Sequence, residues 1–247
     1  MKDNNEKKPL IVINFKTYDE ATAHKAEKLA KIAEMVSKTE KVPIIVAVQP
    51  TDIYRISKSV SIPVYAQHID PVVFGSHTGS ILPEAVISSG ATGTLINHSE
   101  KKLSLDVIEK TIKRAKELKL QTICCVADSD QAKAVAQFNP DYVAVEPPEL
   151  IGGDISVSTA QPELIADAVK KVKSVSFTTK LLVGAGVKTK EDIDIALKLG
   201  AVGVLLASGV TKAKDPKKAI QGLIIDLEKL ESEPKQEKQD KPRKKGE

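Results

Sequence analysis

The chain has 247 residues, of which 41% are hydrophobic and 3% aromatic, with no Trp. One large domain or two small ones fit that length, and Lys plus Arg exceed Asp plus Glu by only 37 − 33 = 4, too little to draw in nucleic acid or an anionic membrane. Scarce aromatics exclude a stacking platform for single strands, no apolar run nears the ~18 residues of a membrane span, and Met1-Lys2-Asp3-Asn4-Asn5 lacks the apolar stretch of a signal peptide. A soluble, cytoplasmic protein is expected.

Residues 1–8 are polar and residues 231–247 carry no aliphatic or aromatic side chain. Such segments bury too little to offset their ordering entropy, so both are expected to be disordered, leaving 9–230 as the folded unit. Within it, short apolar runs rich in Val and Ile recur at Leu10–Asn14, Pro43–Val48, Pro63–Gln67, Thr94–Asn97, Thr122–Val126, Tyr142–Val145, Leu181–Gly184 and Gly203–Leu206. They are continuously apolar rather than alternating, as strands covered on both faces are.

Amphipathic stretches fill the intervals. Ala21–Ser37 aligns Ala26, Leu29, Ala30, Ala33 and Val36 on one stripe, and Ser104–Leu118 does so with Leu105, Ile108, Ile112, Ala115 and Leu118. Cys124 and Cys125 lie in the fifth apolar run; adjacent thiols do not bridge each other and supply no zinc set, so they read as buried strand residues. Thr189 with Asp192 predicts a capped helix start that Gly200 ends, and Asp215-Pro216 predicts another. Eight strand–helix units predict a single (β/α)8 TIM barrel, an α/β fold. The rival open sheet lacks the Gly-rich first turn and the phosphate loop that nucleotide-binding members carry.

In a barrel, chemistry gathers where strands end. Those ends hold Asn14 and Lys16, then Gln67, then Asn97-His98-Ser99-Glu100, then Glu146, then Gly184-Ala185-Gly186 and Ala207-Ser208-Gly209. Singly, each has a bland reading as a solvated loop charge or a tight turn. Together, a carboxylate, an imidazole and a cation are the set for moving a proton beside a carbonyl. The small-residue turns after strands seven and eight, with a short helix after Ser208, suit a phosphate, and Ile151-Gly152-Gly153 offers further amides. His24, His68 and His77 show no metal-ligand spacing and are read as structural.

Asn14-Phe15-Lys16, Asn97-His98-Ser99-Glu100 and Val145-Glu146-Pro147-Pro148-Glu149-Leu150-Ile151-Gly152 resemble the three catalytic segments of the triosephosphate isomerase family, in its compact archaeal branch. The resemblance runs from Pro9 to about Leu230. It implies interconversion of dihydroxyacetone phosphate and glyceraldehyde 3-phosphate without metal or organic cofactor. Glu146 would be the base and His98 a neutral electrophile, held neutral by a nearby helix N-terminus. Lys16 would offset negative charge beside Asn14 and Phe15, with Glu100 orienting Lys16. Ile151, Gly152, Gly186, Ala207 and Ser208 would hold the phosphate, the first two from a lid spanning Pro147 to about Ser156. The loop Gly75–Gly79, with Thr78, would reach a neighbouring subunit, implying a homo-oligomer, a tetramer before a dimer. Gly152-Gly153-Asp154 departs from the Gly-Thr-Gly usual at the lid tip. Two other readings remain: a different phosphosugar enzyme on the same barrel, and a binding protein without catalysis.

Overall fold

The computed structural model describes residues 8–150 and 156–224. Eight strands, β1 (Leu10–Asn14), β2 (Ile44–Val48), β3 (Val64–Ala66), β4 (Gly93–Ile96), β5 (Gln121–Val126), β6 (Tyr142–Val145), β7 (Lys180–Gly184) and β8 (Gly203–Leu206), close into a barrel in chain order. Every neighbouring pair is parallel, and β8 pairs with β1 through Leu10–Gly203 to Ile13–Leu206. The run-by-run prediction therefore holds, and no strand end is displaced by more than one residue.

Side chains alternate across the wall and make two cores. Val12, Ile45, Ala47, Tyr65, Leu95, Ile123, Cys125, Ala144, Leu182 and Leu205 fill the interior. Their neighbours, among them Ile11, Ile13, Val46 and Cys124, face the helices. This is why the strands read as unbroken apolar runs: both faces are dry. Tyr65 needs room to lie across the interior, and Gly93 supplies it, since a Cβ there would meet the ring at 2.4 Å. Its hydroxyl donates to the Gln121 side chain, so the buried phenol is satisfied.

Ten helices of the described residues cover the barrel: α1 (Ala23–Glu40), α2 (Ile53–Ser57), α3 (Pro83–Ser88), α4 (Leu105–Glu117), α5 (Ser129–Ala136), α6 (Val157–Ala160), α7 (Pro162–Val175), α8 (Lys190–Lys198), α9 (Ser208–Thr211) and α10 (Pro216–Gly222). The α1 stripe is buried as expected, and the helix stops where Lys41 turns left-handed at φ 54°. In α4, Ile108, Ile112 and Ala115 are buried below the Ser104 cap. Leu105 departs from the expected stripe: it is 49% exposed. α8 begins with a capping box: the Asp192 N–H donates to Thr189 Oγ1 at 3.2 Å, and the Thr189 N–H to Asp192 Oδ2 at 3.0 Å. α10 opens on Asp215, which accepts from the Lys218 N–H, with Pro216 in the first turn.

Of the expected disordered ends, only Lys8 falls among the described residues; 1–7 and 231–247 lie outside them. Among the described residues no helix is long and apolar enough to cross a membrane.

Candidate active site

The C-terminal ends of β1, β4, β6, β7 and β8 enclose a cleft of about 50 Å³, lined among others by Asn14, Lys16, His98, Glu146, Gly186, Ala207 and Ser208. Four of the expected site residues do not line it, and one of them is Glu100, which is 59% exposed beside Lys16. Phe15 is fully buried among the side chains between barrel and helices, because the alternation that turns Asn14 inward turns Phe15 outward. Ile151 and Gly152 lie outside the described residues.

The cation is held from three sides. Lys16 takes a left-handed backbone at φ 49°, a conformation a non-glycine residue keeps only when its neighbours insist on it. Its N–H donates to Asn14 Oδ1 at 3.0 Å, and its carbonyl accepts from Gln67 Nε2 at 2.9 Å. Gln67 also donates to Asn14 Oδ1 at 3.2 Å and to the Ala47 carbonyl at 3.3 Å, tying β1, β2 and β3 together under the lysine. The ammonium reaches Glu100 at 2.7 Å. Glu100 is largely exposed, so the pair sits at the mouth and is screened there. Gln67 lay on the predicted rim without a role; only the adjacency of the first three strands gives it one.

His98 follows β4 on a turn closed by the Lys101 N–H on the His98 carbonyl at 2.7 Å. Asn97 makes the corner at φ 59°, its amide donating to the Cys125 carbonyl at 2.8 Å while its Oδ1 accepts from the Leu103 N–H at 2.8 Å. The expected helix N-terminus is not what His98 faces, since α4 begins only at Leu105. One amide does the corresponding work: the Glu100 N–H donates to His98 Nδ1 at 3.2 Å. Nδ1 also lies 3.6 Å from Glu100 Oε2, and Nε2 is the ring atom that faces Glu146.

Glu146 is buried beyond the end of β6, its N–H bonded to the Val126 carbonyl at 2.8 Å. Oε2 lies 3.8 Å from His98 Nε2, beyond hydrogen-bond reach, and has no partner. Burial pushes this carboxyl above its ordinary range; His98, the Cys125 thiol and Lys16 pull the other way, and Glu100 adds to the rise. A buried, unbonded carboxylate oxygen costs stability, and the raised affinity for protons that comes with it is what a base requires. Cys124 and Cys125 are buried as expected, and burial first, then the Glu146 charge, pushes the Cys125 thiol up.

The turns after β7 and β8 face this pair across the cleft. Ala185 and Gly186 are both left-handed, at φ 71° and φ 70°, and Ala207 precedes the short α9. A cavity of about 390 Å³ on the other side of Glu146, walled by Leu103, Ile108, Val126 and Val135, is larger but holds neither Lys16 nor His98. His68, read as structural, is buried and bonded to Asp70 at 3.0 Å, which also accepts from the Ile81 N–H at 2.7 Å and so closes the loop between them. Among the described residues no group of three or more His, Cys, Asp or Glu could hold a metal ion.

A closed parallel barrel that presents a buried carboxylate, an imidazole and a cation at one mouth defines an acid–base enzyme for small anionic carbonyl compounds. The sequence model of triosephosphate isomerase matches residues 9–223. The triosephosphate isomerase of Methanocaldococcus jannaschii is 53% identical over 215 residues, covering 87% of this chain and 98% of that protein. That of Methanobacterium bryantii is 48% identical over 219 residues (89% and 97%), and that of Saccharolobus solfataricus 47% over 218 (88% and 96%). The chain belongs to the triosephosphate isomerase family, and it is an isomerase.

Proposed function

We propose that the chain interconverts dihydroxyacetone phosphate and D-glyceraldehyde 3-phosphate through an enediolate, with Glu146 as base and His98 as electrophile. One observation carries this assignment: the buried Glu146 carboxylate and His98 Nε2 face each other across 3.8 Å, with Lys16 lining the same cleft. Glu146 takes a proton from the carbon next to the carbonyl and returns it to the neighbouring carbon. His98 Nε2–H hydrogen-bonds the carbonyl oxygen and passes protons between the two oxygens of the intermediate. Lys16, held by Asn14 and Glu100, offsets the charge of the enediolate and the phosphate. The phosphate sits on the turns at Gly186, Ala207 and Ser208, and amides from Ile151 and Gly152 complete its shell when the lid closes. Closure keeps water from an intermediate that would otherwise expel phosphate. No cofactor enters this sequence of steps.

The residue roles rest on an assay of glyceraldehyde 3-phosphate isomerisation in EDTA, on wild type and Glu146→Asp. The substitution withdraws the carboxylate by one methylene, and a misplacement of ~1 Å costs about 10²-fold. Metal-independent turnover that collapses in the variant is the expected result; equal turnover in both would remove Glu146 from the mechanism.

For assembly we propose a homo-oligomer, a tetramer before a dimer, acting in the cytoplasm where triose phosphates are handled. Val73 and Phe74, leading into Gly75, are 55% and 73% exposed, an adjacent apolar pair that a second copy would cover.

A further inference from the structure

We infer that Gly184 is a positioning residue for the base: its missing side chain is the space through which Glu146 reaches the cleft. The inference rests on the reading of Glu146 as the base. In the β6–β7 register, Val145 pairs with Val183, which sets Gly184 beside Glu146. A Cβ at Gly184 would lie 2.3 Å from Glu146 Cγ and 2.8 Å from both Cδ and Oε1. These are distances that a real Cβ does not show. The atom struck hardest is Cγ, near the root of the side chain, so a small rotation of the carboxylate does not relieve it. Glu146 has to change its χ1 well, and the carboxylate leaves its place opposite His98.

Backbone conformation does not explain this glycine. Gly184 ends β7 and pairs with Leu205 of β8, and it is not among the residues with positive φ. Alanine satisfies that backbone. Nor does scaffold packing explain it, because the three nearest atoms all belong to Glu146. Gly203 is the contrast: a Cβ there would meet the Leu10 backbone carbonyl at 2.0 Å, so its absence serves the barrel. The cavity of about 390 Å³ lined by Glu146 and Cys125 lies on the other side of the carboxyl, so a carboxylate pushed off Gly184 has room to move away from β7 and out of its place opposite His98.

Gly184→Ala and Glu146→Ala, singly and together, with Glu146→Gln and Glu146→Asp as controls, test this. In Gly184→Ala, kcat is expected to fall about 10²-fold while KM and the dissociation constant of inorganic phosphate stay within about threefold. The acidic limb of kcat/KM shifts toward the ordinary carboxylate range, because the displaced group is no longer buried. Combining Gly184→Ala with Glu146→Asp costs little beyond the worse single variant, since both act through one carboxylate. If Gly184→Ala lowers Tm, the loss vanishes in the Glu146→Ala background, where the struck atoms are gone. A Gly184→Ala enzyme with kcat near wild type, or rate penalties that multiply, or a Tm loss that persists without the Glu146 side chain, overturns the inference. Full turnover by Glu146→Gln sinks the reading of the base instead, so the two failures are distinct.

Discussion

At the scale of single residues, the site is governed by where protons can sit. Burial raises the proton affinity of Glu146 in the folded state above that of the unfolded chain. The sign for stability follows: the folded protein gains from the protonated group at low pH and loses that gain as pH rises through the folded pKa. At neutral pH the ionised carboxylate is therefore a cost. Glu146→Gln is expected to raise Tm at neutral pH while abolishing turnover, and melting curves below the ordinary carboxylate range should converge with wild type. The same burial sets activity, because the base must be ionised; the acidic limb of kcat/KM lies above the ordinary carboxylate range. A limb that stays put in Glu146→Asp belongs to the substrate phosphate rather than to the base. Gln67 offers a second test. Its amide holds Asn14, the Lys16 carbonyl and Ala47 together, so Gln67→Leu frees the left-handed turn at Lys16. KM should rise and kcat fall, with a loss of about 1 kcal/mol of stability, because the Lys16 carbonyl loses its donor while Asn14 Oδ1 and the Ala47 carbonyl keep those of the Lys16 and Phe15 N–H groups. Lys16, His98 and Glu146 were legible in sequence as residues at strand ends. Gln67's three bonds were not, because they join strands whose neighbours only the closed barrel fixes.

At the scale of elements, local chemistry and long-range packing part company in an instructive way. The α8 start could be read from four residues, since a capping box is a contact within one turn. Asp192 accepts from the Thr189 N–H, the Thr189 hydroxyl and the Lys188 N–H, each at 3.0 Å, and is itself buried. Thr189→Ala is expected to cost about 1 kcal/mol, a fall in Tm of about 2–4 °C for a domain of this size. Thermal melting checks it, and kcat should not change, because Thr189 lies outside the cleft that holds Lys16, His98 and Glu146. Leu105 shows the limit of the same kind of reading. Its spacing fits the α4 stripe, but whether the first turn lies over the wall or over the rim depends on the length of the β4 loop, which periodicity does not encode. His98 is similar: the sequence argument asked for a helix N-terminus, and the partner that Nδ1 finds is a turn amide two residues along the chain.

At the scale of the whole molecule, the barrel was legible because its strands are dry on both faces and its order is the chain order, which leaves one topology to consider. What one chain does not explain is the apolar loop ahead of Gly75. His68 and Asp70 brace the base of that loop through the Ile81 amide, so the segment is held in place while Val73 and Phe74 face water. Holding apolar side chains outward costs free energy in an isolated subunit and is recovered when a second copy covers them. Phe74→Glu replaces the most exposed of these with a charge that a dry interface rejects. Sedimentation equilibrium of wild type should give a multiple of the single-chain mass, four before two, and Phe74→Glu a smaller multiple. Since His98 and Glu146 stand on strand ends of their own barrel, the dissociated variant keeps the catalytic pair. Any loss of kcat then measures how far Lys16 and its turn, which share the rim with that loop, depend on the neighbour. A wild type that sediments as one chain, or a Phe74→Glu variant of unchanged mass, would remove this loop from the interface.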